Sequence, residues 1–332
     1  MAGNSRSPRE DLPDWRRPPI AENIVGPRSL AALLYYANEY RIWAKRMSSV
    51  DVCGPDAEVF AYLDRVDGAE LIAASVRKDG AMDAATHTHA RGTLFLLTEG
   101  LLVVETAGGR HLAPPRGIVW LPPGTRHAVQ SFGPTAGYGA FLVPELCRDL
   151  PVEPVSLQAS PLAILVMQRA VAWPRQQPLG AAEKRLLLVL LDEIRLASRQ
   201  PLQLPWPRDA RLLGITRELL ADVSSARRLE QWARWADISP RSLSRKFAQE
   251  TGMTFAQWRQ WARLTQALEW LATGQSVKHV ALSLGYDSVS AFIKVFRQVL
   301  GTTPAAYFNP RRDALRPLPS ETAAAGPEAV IG

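Results

Sequence analysis

The sequence has few cysteines and no long apolar run, and both absences narrow the class of protein. Only Cys53 and Cys147 occur among 332 residues, and they form neither a CxxC pair nor a disulfide framework. Such cysteine usage is typical of a reducing compartment, so we expect a cytoplasmic protein. No stretch approaches the roughly eighteen consecutive apolar residues of a membrane-spanning helix, so we expect no contact with a membrane.

The two ends of the chain have little apolar character. The opening segment, MAGNSRSPREDLPDWRRPP, lacks the apolar centre of a signal peptide, which predicts a disordered tail over residues 1–28. Apolar residues then recur at helical spacing, which predicts a helical extension over 29–68. Residues 309–332 predict a second disordered tail.

Positive charge is concentrated in one part of the chain. The net charge is +7, yet residues 208–312 contain 16 Lys and Arg against 8 Asp and Glu, so the remainder is close to neutral. A basic block beside a neutral one indicates that one domain meets a polyanion such as nucleic acid. Charge alone leaves a solvated basic surface as the alternative.

The middle of the chain contains a predicted β region that is followed by predicted helices. Residues 69–150 contain short apolar runs such as TLFLL, LLVVET and GIVWL between Gly and Pro turns, which predicts a small β-barrel or sandwich. Residues 151–199 predict connecting helices, and the Pro-rich 200–209 predicts a linker. A leucine-rich stripe on the second helix either packs on the barrel or forms a dimer interface; it comprises Leu186, Leu187, Leu190, Leu191 and Ile194.

The helical block over 210–308 repeats itself at an offset of 49 residues. The repeated identities fall at cap, core and turn positions; Ser239, Phe247, Gly252, Thr254 and Ala256 recur as Ser288, Phe296, Gly301, Thr303 and Ala305. Each copy predicts a short helix, a tight turn and a second capped helix, which is a helix-turn-helix unit. A helix over 255–273, roughly 28 Å long, joins the copies and would hold them near one DNA turn apart, about 34 Å.

These residues resemble the AraC/XylS family of bacterial transcription regulators, most specifically in HVALSLGYDSVSAFIKVFRQVLGTTPAAYF and ISPRSLSRKFAQETGMTFAQW. The resemblance implies two units that read adjacent major-groove segments of promoter DNA. The implied base-reading residues are Arg241, Ser244, Arg245, Val289, Ser290, Ile293 and Lys294. Arg245 suits a guanine edge or a phosphate. Because Val289 and Ile293 are apolar, the second unit reads thymine methyl groups or contributes mainly contacts to the DNA backbone.

The β region resembles the cupin sensor domain of the same family, through HTHARG and PPGTRH. The resemblance places His127 beside His87 and His89, which share one face of a strand. Such a set either binds a small effector directly, holds a divalent metal as or beside the signal, or only satisfies internal hydrogen bonds. Thr93 stands where enzymatic cupins carry a carboxylate ligand, and Glu99 should not reach the site.

Three further polar residues are assigned positions from their sequence neighbours. Arg91 would pair with an anionic effector if it points inward, or else forms a rim charge. His111 follows a Gly-Gly turn, which predicts a surface position. His279 lies in the basic block and is expected to be structural or near phosphate.

Together these observations predict an α+β protein with a cupin-like β-barrel, connecting helices and a C-terminal all-α double helix-turn-helix domain. We expect a ligand-responsive transcription regulator, a homodimer that binds promoter DNA and a small-molecule effector, and RNA polymerase if it activates. The effector would change how the barrel and the helix over 181–198 dock on the DNA-binding block. The alternatives are a cupin metalloenzyme, such as a dioxygenase or isomerase, with an appended DNA module, and a non-specific nucleic-acid binder.

Overall fold

The computed structural model describes residue 65 and residues 67–308, which belong to one unit of the fold. The predicted tails over 1–28 and 309–332, and nearly all of the predicted extension over 29–68, lie outside the described residues. In the part of the chain that is described, no helix is long and apolar enough to cross a membrane.

The β domain is an antiparallel sheet in which two long strands are shared between two layers. The eight strands are β1 (Leu71–Lys78), β2 (Met82–His87), β3 (Gly92–Thr106), β4 (Gly109–Ala113), β5 (Gly117–Leu121), β6 (His127–Leu142), β7 (Val155–Gln158) and β8 (Gln203–Pro205). One layer runs β1-β6-β3-β5-β7 and the other β2-β6-β3-β4-β8. Bulges in the middle of β3 let that strand and β6 pass from one layer to the other.

Two helices pack beside the first layer. The segment 151–199, predicted as connecting helices, contains the strand β7 and then α1 (Pro161–Ala170) and α2 (Ala181–Leu196), and α1 contacts β1 and β6. Leu187, Leu190, Leu191 and Ile194 are buried, so most of the leucine stripe packs within the protein. Other leucines remain exposed on the same pair of helices, namely Leu162, Leu165 and Leu188.

The segment over 200–209, predicted as a linker, is instead part of both domains. Its strand β8 pairs with β4, and the side chains of Leu202 and Leu204 are buried. The indole Nε1 of Trp258 donates a hydrogen bond to the carbonyl of Pro205 at 2.8 Å. The prolines of this segment predicted a linker. An edge strand, however, tolerates proline at positions whose N–H is not needed for pairing.

The helical domain contains two similar halves around one long helix. Its helices are α3 (Ala210–Ala221), α4 (Leu229–Trp235), α5 (Pro240–Thr251), α6 (Phe255–Ala272), α7 (Val277–Ser283), α8 (Val289–Leu300) and α9 (Pro304–Tyr307). The first half, α4 and α5, corresponds to the second half, α7 and α8, at the offset of the sequence repeat. The predicted joining helix over 255–273 is α6.

The second layer of the β domain docks directly on the helical domain. Leu101, Val103 and Leu112 of the strands share one apolar core with Leu264 and Leu268 of α6. Among the described residues, this core takes none from α2. Of the barrel and the helix over 181–198, which are both expected to dock on the DNA-binding block, only the barrel contributes to this core. We call its strand-built contact with the helical domain the docking surface.

An ion pair lies inside the docking surface. The Nη2 atom of Arg110 on β4 lies 2.8 Å from Oε1 of Glu269 on α6, and both side chains are only 5% exposed. Gln266 donates to the second carboxylate oxygen of Glu269 at 2.9 Å. Nearby, Gly133 has a φ of +70°, and a Cβ atom there would lie 2.0 Å from the carbonyl oxygen of Ala272. This turn of β6 therefore approaches the end of α6 as only glycine allows.

Candidate nucleic-acid interface and sensor pocket

Helices α5 and α8 begin and end with the same local chemistry. The hydroxyl of Ser239 accepts a hydrogen bond from the N–H of Ser242, and Ser288 does the same for Ala291, each at 3.1 Å. Both helices end at a left-handed glycine, Gly252 or Gly301. Serine N-caps and left-handed glycine C-caps fix helix bounds locally, so the sequence repeat translates directly into two matching helices.

The inner faces of these helices are aromatic and fully buried. Phe247 contacts Phe255 and Trp258 edge to face, at centroid distances of 5.3 and 5.9 Å. Phe296 contacts Phe292 and Tyr307 in the second half, at 5.7 and 5.5 Å. Because the apolar side chains recur three to four residues apart, each helix presents its other face to solvent.

The outer face of α5 is polar and exposed. Arg241, Ser244 and Arg245 all lie on it, as the sequence predicts. Gln249 extends the same face. Within the described residues Arg245 forms no ion pair, so its guanidinium is available for a base edge or a phosphate.

The outer face of α8 is narrower than the sequence predicts. Ser290 and Lys294 are exposed, but Val289 and Ile293 are half-buried and pack against the core. Arg297 and Gln298 are exposed one turn further along, and the sequence prediction missed them. The sequence repeat could have identified Gln298, because Gln298 aligns with Gln249.

An ion pair fixes α5 to the start of α3. The Nζ atom of Lys246 lies 2.7 Å from Oδ2 of Asp209, whose other oxygen caps α3 through the N–H of Arg211. The hydrogen bond from Lys246 lowers the pKa of Asp209, with smaller contributions from the backbone N–H groups. Glu250 accepts hydrogen bonds from the backbone N–H groups of Arg208 and Asp209. The orientation of α5 is thus set by three polar contacts beyond its apolar core.

Three histidines meet at one end of the β domain. His87 ends β2, His89 follows it, and His127 begins β6 directly opposite His87 in the strand register. Their ring centroids lie 4.4 Å apart for His87 and His127, 4.8 Å for His87 and His89, and 5.3 Å for His89 and His127. One ring nitrogen from each lies within 4.8 Å of the others. We call these residues the histidine cluster.

Hydrogen bonds fix the tautomers of two of these rings. The Nδ1 atoms of His87 and His127 lie 2.7 and 2.9 Å from the carbonyl oxygens of Ala85 and Thr125. Because a carbonyl only accepts, Nδ1 carries the proton in each neutral ring and Nε2 carries a lone pair. The buried Nε2 of His127 has no hydrogen-bond partner among the described residues.

Burial keeps the histidine cluster uncharged. Desolvation, aided by the neighbouring imidazoles, lowers the pKa of His89 to about 2 and that of His127 to about 3. Desolvation lowers the pKa of His87 as well. Neutral rings whose Nδ1–H groups bind backbone carbonyls have the arrangement of metal-ligating histidines, and they equally suit a ligand that donates hydrogen bonds.

The chain is similar to several known proteins. A family model described as a helix-turn-helix domain matches residues 232–310, which include α5 and α8. The structure of ToxT from Vibrio cholerae aligns with 72% of this chain and 98% of its own, at 11% identity and a TM-score of 0.32. The regulator RipA from Corynebacterium diphtheriae is 30% identical over 116 residues, which are 35% of this chain and 34% of RipA.

One relative matches most of the chain. The HTH-type transcriptional regulator NimR from Escherichia coli K12 is 32% identical over 229 residues, which are 68% of this chain and 82% of NimR. The chain belongs to the AraC/XylS family. It is a DNA-binding transcription regulator, and its relatives favour this function over the metalloenzyme alternative.

Arg91 has a structural role in this AraC-family regulator. It is 1% exposed, and its guanidinium donates hydrogen bonds to the carbonyl oxygens of Arg65, Asp67 and Ala69 at 2.6, 3.0 and 2.9 Å. The group therefore anchors the chain that leads into β1. The prediction that Arg91 meets an anionic effector or lies at the rim is wrong, because these backbone carbonyls occupy its donors.

Thr93 and Glu99, the other two residues compared with enzymatic cupins, lie where the sequence analysis expects them. Thr93 is buried on β3 and supplies no carboxylate. Glu99 lies at the solvent surface, where Oε2 is 3.7 Å from Nη1 of Arg77. The AraC-family regulator thus has a three-histidine cluster without a fourth, acidic ligand at these two positions.

His111 is buried in this regulator, so the prediction of a surface position is wrong. Its side chain is 0% exposed on β4, and Nε2 lies 3.4 Å from the hydroxyl of Thr106. Burial lowers the pKa of His111 to about 4. The Gly-Gly turn misled the prediction because β4 starts at Gly109 itself and is paired on both edges, with β3 and β8.

Replacing His111 with phenylalanine should reduce the acid sensitivity of the fold. The folded-state pKa lies below the unfolded value of about 6.5, so the unfolded chain binds more protons between these values. The free energy of unfolding therefore falls as the pH falls, by about 2 kcal/mol per such histidine between pH 7 and pH 5. Urea unfolding at both pH values should show this difference shrink by about 2 kcal/mol in His111→Phe.

The matched control for this prediction is His279→Phe, since His279 is exposed on α7. It should retain the pH dependence of the unaltered protein. Equal acid sensitivity in His111→Phe and the unaltered chain would contradict the prediction.

Proposed function

We propose that this regulator reads promoter DNA with α5 and α8 and responds to an effector bound at the histidine cluster. The observation that carries the DNA-reading proposal is the tandem pair of capped helices whose outer faces are polar and exposed. Each helix fits a major groove, and α6, about 27 Å long, separates the two units by close to one helical turn of DNA.

The outer faces divide into base-reading and supporting residues. Arg245 is proposed to bind guanine O6 and N7, with Arg241 and Ser244 on neighbouring bases or phosphates. On α8, Ser290 and Lys294 are the proposed polar contacts. Val289 and Ile293, half-buried against the core, are proposed to contact thymine methyl groups with their exposed edges.

Replacing Arg245 with alanine should cost about 1–3 kcal/mol of binding energy at the cognate site and relax the base preference there. Binding-site selection from a random DNA library, followed by titration at fixed salt, measures both effects. Arg185→Ala on α2 is the matched control, since Arg185 is exposed but lies outside the helical domain. A uniform loss on all DNA sequences would assign Arg245 to a phosphate instead.

The histidine cluster has the chemistry of an effector site. A neutral imidazole with an Nε2 lone pair, such as that of His127, can accept a hydrogen bond from an effector or coordinate a divalent metal. A bound metal would be held by His87, His89 and His127 and would offer an open coordination position to an anionic or neutral effector. Thr93 and the distant Glu99 favour sensing over catalysis at such a site.

The metal content of the protein distinguishes direct effector binding at the histidine cluster from binding through a metal. After Zn²⁺ is added and excess metal removed, mass spectrometry under native conditions should find one metal per chain if the cluster holds it. His89→Ala should then lose the metal, and His279→Ala should keep it. Absence of metal from both the unaltered chain and His279→Ala would assign the cluster to direct effector binding.

The exposed leucines of α1 and α2 support a homodimer. Leu162, Leu165 and Leu188 are 45%, 62% and 57% exposed on adjacent helices. An apolar group of this kind is typical of a protein–protein contact. We propose that a second copy covers it, and that RNA polymerase is a partner if the protein activates transcription.

A further inference from the structure

A polar row crosses the inner face of the second β layer. In the strand register His87 on β2 lies opposite His127 on β6, and His127 lies opposite Thr106 on β3. Residues directly opposite in antiparallel strands share a face, so these three side chains are neighbours. Thr106 then contacts His111 on β4 through its hydroxyl. The row therefore extends from the histidine cluster across four strands.

Hydrogen bonding makes His111 an acceptor. The hydroxyl proton of Thr106 is donated to the carbonyl of Gly109 at 3.1 Å, so the hydroxyl can only accept from the imidazole. Nε2 of His111 therefore carries the ring proton, and Nδ1 carries a lone pair. Among the described residues, nothing donates a hydrogen bond to this buried Nδ1. A buried acceptor without a donor is costly, and its presence calls for a partner from outside the chain.

We infer that Nδ1 of His111 is a second polar contact of the effector site and accepts a hydrogen bond from a donor group on the effector. This inference rests on the proposed function, since it extends the site at the histidine cluster. The effector would carry a hydroxyl, amine or amide N–H toward His111. An effector with only acceptor groups would leave the lone pair of Nδ1 unsatisfied.

The surroundings of the row indicate an apolar body for the effector. Val104 on β3 pairs with His111 on β4 and with Val129 on β6. Both valines are buried. At the histidine cluster, the rings of Phe95 and Phe141 lie 6.3 Å from His127 and 5.9 Å from His89. Aliphatic and aromatic side chains beside the acceptor atoms of His127 and His111 fit a compact, largely apolar molecule with hydrogen-bond donors.

The position of His111 also links the site to the docking surface. Consecutive strand residues point to opposite faces, so Arg110 and His111 lie back to back on β4. Arg110 binds Glu269 of α6 on the outer face. A hydrogen bond to His111 would therefore act on the strand that holds the β domain to the helix between the two DNA-reading units.

Phenol and anisole provide a matched pair of probes, because methylation removes the donor and keeps the aromatic body. Calorimetric titration of the full-length protein should show phenol binding about fivefold more tightly than anisole, the ratio expected for one hydrogen bond. His111→Phe should bring the ratio close to one. His279→Phe, which alters an exposed histidine, should keep the ratio of the unaltered protein.

Thr106→Val provides a second route if His111→Phe does not fold, as judged by circular dichroism. It removes the acceptor that fixes the His111 tautomer, so it too should lower the phenol preference. The inference is overturned if the unaltered protein shows no preference, or if the preference persists in both variants. Loss of the phenol preference only in His127→Phe would also overturn the inference about His111. The histidine cluster would then remain the effector site. Failure of the proposed function is seen separately, as promoter binding that does not depend on DNA sequence.

Discussion

Replacing Glu269 with leucine is expected to lower the free energy of unfolding by about 3–5 kcal/mol, because it removes the Glu269 carboxylate from a buried ion pair. Arg110 and Glu269 are each 5% exposed and lie 2.8 Å apart within the docking surface. The guanidinium of Arg110 would then lose its contact with the Glu269 carboxylate. Urea unfolding measures the loss, and hydrogen exchange at β4 and α6 shows whether it is localised there.

Two further variants make this test specific. The double variant Arg110→Leu with Glu269→Leu should recover much of the lost stability, since apolar pairs replace buried ion pairs at little cost. Glu99→Leu breaks the exposed pair with Arg77 and should cost at most about 1 kcal/mol. Similar losses for Glu269→Leu and Glu99→Leu would mean that the docking surface does not hold this pair in solution.

Replacing Phe247 with alanine is expected to cost about 3–5 kcal/mol and to abolish specific DNA binding. Phe247 is fully buried and packs edge to face on Phe255 and Trp258, so its removal leaves a cavity behind α5. The helix that presents Arg245 would lose its support. Urea unfolding and DNA titration with the cognate site measure the two effects.

The repeat supplies the companion variant, Phe296→Ala. Phe296 belongs to the core that also contains Leu101, Val103 and Leu112 of the β domain, whereas the Phe247 core receives Leu204 from β8. We therefore expect Phe296→Ala to weaken docking as well as α8, with increased hydrogen exchange in β3 and β4. Leu282→Ala, at a leucine that is 55% exposed, should change stability by no more than about 0.5 kcal/mol. If Phe247→Ala and Phe296→Ala raise exchange in β3 and β4 equally, the two cores are not separate.

The parts of the fold that the sequence predicted well depend on neighbouring residues. The bounds of α5 and α8 follow from Ser239, Gly252, Ser288 and Gly301, because cap chemistry acts within one helical turn. The inward aromatic positions follow from helical spacing in the same segments. The outer face of α5 was predictable for the same reason.

The features that escaped prediction depend on partners distant in the chain. His111 is buried in a strand whose second edge is covered by β8, which lies far along the chain, and no residue near His111 indicates this. Arg91 is held by backbone carbonyls of the segment before β1. Polar residues are buried where carbonyl or hydroxyl partners exist, and such partners cannot be read from local spacing.

The strand β8 has a consequence for engineering chimeric regulators. A fusion that grafts this DNA-binding block onto a foreign sensor could be joined within the Pro-rich segment over 200–209. In this protein that junction would remove the edge strand of the sheet and the Leu204 side chain that enters the core of the first helix-turn-helix unit. It would also remove the carbonyl of Pro205 that accepts from Trp258. A graft that keeps 200–209 with the DNA-binding block, and supplies a β4 edge from the new sensor, preserves the contacts of β8 with both domains.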